Sequence, residues 1–152
     1  MKEKEVISFV ENFFKRHNYE VTREFYVHGY EVDLLAEKNE EKYFVECKGD
    51  DYLRSHEIHV MIGQIVSEMH EVGPNVHYSL AMPYSLATYL SEFGIEGIKT
   101  LKLHLFAVGQ GDVWNGEVFY LDTEGTISFI QALKKGSEEA WFDLLSLRKK
   151  RI

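Results

Sequence analysis

Apolar residues first recur at helical spacing between residues 3 and 17, where Val6, Phe9, Val10 and Phe13 form a stripe that Ile7 and Phe14 broaden. The period then changes. Residues 21–27 are rich in β-branched and aromatic side chains and are broken by His28-Gly29. Two further strand patterns, 30–37 and 42–48, flank the polar turn 38–41. Ser55 is the predicted N-cap of a second helix with the stripe Ile58, Met61, Ile62, Ile65 and Met69, ending near Gly73-Pro74. Residues 77–82 read as a strand, 84–93 as a short helix and 102–108 as another strand. Asn115-Gly116, between Val113-Trp114 and Val118–Leu121, signals a hairpin. A terminal helix over 137–147 runs into the basic residues 148–151. This order predicts an α/β domain with a mixed central sheet and helices on its faces. It forms one unit over 1–152, with a core at 3–109 and a C-terminal hairpin and helix over 112–152.

The turn at 38–41 sets a register for the hairpin it closes. With Glu37 facing Lys42, Val32 lies across from Cys47, Leu34 from Val45 and Ala36 from Tyr43, so one face is wholly apolar. On the other face Leu35 meets Phe44, Asp33 meets Glu46 and Glu31 meets Lys48. Opposed residues have Cβ atoms ~4.5–5.5 Å apart, and like charges so placed destabilise a sheet. A proton taken up by one acid, or a cation between them, removes the conflict. A hard divalent ion binds through one or two carboxylates plus waters and phosphate oxygens. Lys48, on the same face as Glu46, can hold a water or offset charge growing on a phosphate. The bland reading of these residues is a solvated sheet face with a surface ion pair. Register, spacing and flanking helices together favour a site for phosphodiester hydrolysis.

Asp33 followed by Glu46-Cys47-Lys48 on the next strand resembles the PD-(D/E)XK nuclease superfamily, the restriction-endonuclease-like fold, across roughly the first half of the chain. Val32 stands where the name-giving proline would be. The resemblance implies an αβββαβ core and Mg²⁺-dependent cleavage of DNA, with Mn²⁺ able to substitute. Asp33, Glu46 and the backbone carbonyl of Cys47 would hold the ion, and Lys48 would position or polarise the attacking water. Glu11, at the border of the first helix's stripe, would bind a second ion or orient water. Gln64, on the second helix, would fix Lys48 or the substrate. Members of the superfamily often cut as dimers, so a homodimer is also implied. Two alternatives stand beside this reading: an inactive domain that keeps the fold to bind a partner, and a nuclease directed at RNA.

Composition narrows the field further. Of 152 residues 45% are hydrophobic and 14% aromatic, which excludes a disordered chain. Seventeen Lys+Arg against 25 Asp+Glu leave a net charge of −8, which argues against a pure polyanion-binding module but not against an enzyme that gathers acids around a cation. One cysteine, Cys47, excludes a disulfide framework and a Cys-rich zinc site. It reads as a small core residue. No apolar run is long enough for a membrane span and no signal peptide is apparent, so a cytoplasmic protein is expected. Phosphate-binding, dinucleotide-binding and nucleophile-elbow motifs are absent. His28, His56 and His59 read as surface or loop residues, Asp50-Asp51 as a solvated loop, Glu31 as a strand-end charge and Arg54 as a phosphate contact. Trp114, Phe119, Trp141 and Phe142 exceed what the sheet core requires and predict a self-interface.

Overall fold

Helix α1 (Glu3–Arg16) buries Val6, Val10 and Phe14, which lie one turn apart on a single face. Glu5 Oε2 accepts the Lys2 backbone N–H at 2.7 Å, closing the first turn. Acids in the first turn (Glu3, Glu5) and bases in the last (Lys15, Arg16) complement the helix dipole. The protein's structure, a computed structural model, describes residues 1–27, 29–51, 54–92, 94–111 and 114–136, with the side chains of residues 54, 55, 91 and 92 excepted. The expected helix at 137–147, the basic run 148–151, His28, Trp141, Phe142 and the Arg54 side chain lie outside the described residues.

Strands β1 (Glu20–Val27), β2 (Tyr30–Lys38), β3 (Glu41–Cys47), β4 (Val76–Pro83), β5 (Leu103–Val108) and β6 (Val118–Leu121) form one six-stranded sheet in chain order. The first three make an antiparallel meander, β4 and β5 run parallel to β3, and β6 returns antiparallel to β5. The parallel crossovers carry the helices: α2 (Arg54–Ser67) before β4, then α3 (Tyr84–Ala87), a 3₁₀ turn (Thr88–Glu92) and α4 (Ile95–Leu101) before β5. Helix α5 (Thr123–Lys134) follows β6. This mixed sheet flanked by helices, opening αβββαβ, is the restriction-endonuclease-like arrangement.

Helices cover both faces, which is why β3 to β6 read as nearly continuous apolar runs. On one face α1 packs Val10 and Phe14 against Leu34, Tyr43, Val45 and Phe106. On the other, Ile58, Met61 and Ile65 of α2 pack against Leu35, Phe44 and Leu80, and the later helices extend this core with Leu86, Ile98 and Ile130.

Four expectations are corrected. Helix α2 already includes Ser55 and ends at Ser67, short of Gly73. The helix expected at 84–93 divides into α3 and the 3₁₀ turn, with α4 added after it. Strand β6 pairs with β5, from Leu105–Leu121 to Val108–Val118, and Val113 of the expected hairpin lies outside the described residues. Asn115-Gly116 instead sits in a loop closed by Gly109 N–H to Glu117 O (2.7 Å) and Gly116 N–H to Gly109 O (3.0 Å). Finally, Phe119 is 0% exposed and belongs to the core, and Trp114 packs against that core, so neither is spare for a self-interface.

Phe14 is fully buried, with its ring 5.1–5.4 Å from those of Phe106, Tyr19 and Tyr43. Phe14→Ala should therefore cost about 3–5 kcal/mol in urea unfolding. A loss below about 1 kcal/mol would show that α1 is not a main anchor of this face.

Candidate functional site

The β2–β3 ladder runs in the register set by its turn, from Lys38–Glu41 to Leu34–Val45, and stops there. Beyond it β2 stays with β1 (Phe25–Val32, Tyr26–Glu31) and β3 stays with β4 (Glu46–Leu80, Cys47–Ala81). The two strands part. Glu24, with φ of 52°, kinks β1 between the pairs Arg23–Leu34 and Phe25–Val32. As a result Val32 joins the α2-side core while Cys47 remains on the α1 side, which corrects the expected Val32–Cys47 pairing. Asp33 spans the opening. Its Oδ2 accepts the Cys47 backbone N–H at 2.8 Å, replacing a ladder bond with a side-chain one.

Into this opening β3 directs Glu46, which is 1% exposed, and the turn after α2 directs Glu68, also 1% exposed. Glu46 lies between Asp33 and Glu68, within hydrogen-bonding reach of both carboxyls. Glu46 Oε1 and Glu68 Oε2 receive no hydrogen bond. Burial pushes the Glu46 carboxyl far above the usual range, and contact with Glu68 and Asp33 pushes it further. Burial also raises Glu68, against the hydrogen bond to Glu46 and with the Asp33 charge. Asp33 is raised because burial outweighs the Cys47 N–H, the Glu46 contact and the Lys48 charge. The physical content is simple. Two buried acids meet a half-buried third, and two oxygens of the buried pair have no donor.

Lys48 is half-buried beside them, its Nζ 3.4 Å from Glu3 Oε1 and 4.0 Å from Glu57 Oε2. Glu3 starts α1 and Glu57 sits in the first turn of α2, so each flanking helix contributes one acid. Close approach of α1 requires Gly49, since a Cβ there would lie 2.5 Å from Glu3 N. A pocket of about 190 Å³ opens here, lined by Glu3, Lys48, Gly49, Asp51 and Glu57. Asp50 faces away. Burial would raise it, but hydrogen bonds from the Met1 amino group, Ser85 and Gln110 hold it at about 2.

The structure brings together Asp33, Glu46, Lys48 and the Cys47 backbone, and leaves out two expected residues. Glu11 is committed to Arg23, whose Nη2 and Nε reach its Oε1 at 2.7 and 3.0 Å, and to Lys15 at 3.5 Å. The Arg23 hydrogen bond holds its carboxyl below the usual range despite partial burial. Gln64 is exposed on α2, as are His56 and His59. Glu31 is an exposed strand-end charge that accepts from Tyr26 Oη at 3.3 Å. The acids that do arrive, Glu3, Glu57 and Glu68, were missed. Glu68 had a sequence signal, because it falls three residues after Ile65 on the apolar stripe of α2, where an acid is out of place. Glu3 and Glu57 look like ordinary first-turn acids.

Among the described residues no set of three or more His, Cys, Asp or Glu side chains is arranged to hold a metal ion. The donor chemistry nevertheless suits one. Mg²⁺ needs only one or two carboxylates, completing its shell with water and phosphate oxygens. Asp33 and Glu46 supply that pair, and the donorless Glu46 Oε1 is an acceptor awaiting a proton or a cation.

Two solved structures share the fold. One is an XisH family protein from Nostoc punctiforme, with a TM-score of 0.57 and 19% identity over 78% of this chain and 99% of that one. The other is an fdxN element excision controlling factor protein from Anabaena variabilis, with a TM-score of 0.58 and 21% identity over 78% and 99%. At these identities the likeness is one of fold. No family model and no curated protein sequence matches the chain. No helix among the described residues is long and apolar enough to cross a membrane.

Without a cation, the buried acids should make stability fall as pH rises. Their folded pKa values lie above the unfolded ones, so the unfolded chain ionises first, from the ordinary glutamate value of 4.5 upward, and gains on the folded state. His104, lowered to about 4 mainly by burial, acts in the opposite sense below 6.5. A comparison with Glu46→Gln therefore isolates the acids. In EDTA the variant should be more stable than wild type by about 1–3 kcal/mol at pH 8 and by less at pH 5. Urea melts showing no growth of the difference with pH would contradict the raised affinity of these buried carboxyls for protons. Gly49→Ala should lower the melting temperature by forcing the start of α1 off the sheet, and an unchanged melt would contradict the contact.

Proposed function

We propose that the protein hydrolyses phosphodiester bonds in nucleic acid, DNA before RNA, with the help of a divalent ion. The observation that carries this reading is the donorless carboxylate oxygen of buried Glu46, facing Asp33 beside Lys48. Asp33, Glu46 and the Cys47 carbonyl would hold Mg²⁺ or Mn²⁺. When bound, the ion supplies Lewis-acid stabilisation of a phosphate and a lowered pKa for an attacking water.

The chain's own groups supply the rest. Asp33 is fixed by the Cys47 N–H, so its carboxylate is oriented before any ligand arrives. Lys48 is poised at the pocket mouth, where its ammonium can hold a water and offset charge developing on a phosphate oxygen. Glu3 and Glu57 occupy that ammonium in the free protein, and an incoming phosphate would compete with them. The same contacts favour the second reading, a non-catalytic domain that binds a partner, since they neutralise the lysine within the fold. One structural neighbour's description, a controlling factor for excision of the fdxN element, is compatible with either.

Labelled single-stranded, duplex and branched DNA and RNA, incubated with Mg²⁺, Mn²⁺ or EDTA, test the proposal. Wild type should cut in the presence of ion and not in EDTA. Asp33→Asn should abolish cutting through loss of the ion, because an amide oxygen is a weaker ligand than a carboxylate. Lys48→Ala should retain ion binding and lose roughly 10²–10³ in rate. Cutting by Asp33→Asn at the wild-type rate would leave the binding-domain reading as the better one.

A further inference from the structure

We infer that Glu68 acts on the proposed cation from outside its direct ligands, bringing from the end of α2 the negative charge that Glu11 on α1 does not bring. The inference rests on the ion-site reading proposed above and extends it to a residue outside the motif. Glu68 is 1% exposed, and its Oε2 receives no hydrogen bond. Its carboxyl contacts Glu46, the central acid of the cluster. Among the described residues, no ion pair includes Glu46 or Glu68. Lys48, whose charge acts on Asp33, is engaged by Glu3 and Glu57.

The backbone adds to the imbalance. Glu68 follows Ser67, the last residue of α2, and that helix has no basic residue in its final turn. Its C-terminal carbonyls present the negative end of the helix dipole to the same region. A direct bond to the ion is not needed. Mg²⁺ keeps several of its waters, and a carboxylate that accepts from one of them raises affinity as outer-shell groups do.

The test is titration of Mn²⁺ alone into the full chain, without substrate, followed by calorimetry and by the electron paramagnetic resonance of free Mn²⁺. Glu68→Gln should weaken Mn²⁺ binding roughly tenfold or more. Glu68→Asp should keep most of it, and Glu11→Gln should leave it unchanged. In EDTA, Glu68→Gln should melt no lower than wild type, because the amide can donate to Glu46. Should Glu68→Gln fail to fold, Glu68→Met, which fills similar space without charge, takes its place in the same comparison. Loss of binding in Asp33→Asn with wild-type affinity in Glu68→Gln would overturn the role of Glu68 and leave the proposed site standing. A wild-type chain that binds no Mn²⁺ would overturn both.

Discussion

Mutual repulsion among carboxyls that water cannot reach is the constraint on which this end of the molecule depends. In solution each carboxylate is stabilised by several kcal/mol of hydration that burial removes, and neighbouring like charges add to the cost. Glu46 and Glu68 incur both penalties in full, and half-buried Asp33 incurs them in part. A fold chosen only for stability has no use for such a cluster, since apolar side chains of similar volume would pack there without cost. A strongly destabilising group held in place by otherwise well-packed elements is the expected mark of a working site.

The rest of the architecture places those groups. The sheet is covered on both faces, so its interior strands are rigid and their ends are the natural place for chemistry. Parting of β2 from β3 after Leu34–Val45 creates the opening, and the Asp33–Cys47 bond holds its two sides in register. Helix α1 covers one core, and its first turn delivers Glu3 to Lys48, an approach possible only because residue 49 is glycine. Helix α2 delivers Glu57 from its start and Glu68 from just past its end. Stability and site thus share the same elements.

Much of this was legible in the residues, for definable reasons. The hairpin register followed from the length of its polar turn, which leaves one arrangement that keeps Leu34, Ala36, Tyr43 and Val45 on one face. The mixed sheet with helices on its faces followed from the alternation of strand and helix patterns after β3. Helix α5 was missed because it opens with Thr-Glu-Gly-Thr, a poor helix former. It is held instead by the Asp122 cap, which accepts Gly125 N–H at 2.7 Å, and by packing of Phe129 and Ile130. At the site, Asp33, Glu46 and Lys48 were visible because they lie on one hairpin. Glu11 and Gln64 were misplaced because a helical wheel gives a face and not a partner. Arg23, on a neighbouring strand, decides where Glu11 goes.

The most direct test of the central claim is crystallographic. Crystals soaked in Mn²⁺ near neutral pH and measured at the manganese absorption edge would show where the ion sits. The account predicts an anomalous peak between Asp33 and Glu46, within coordination distance of the Glu46 oxygen that now lacks a donor. Absence of any peak there under saturating Mn²⁺, with the acids still closed on one another, would contradict it.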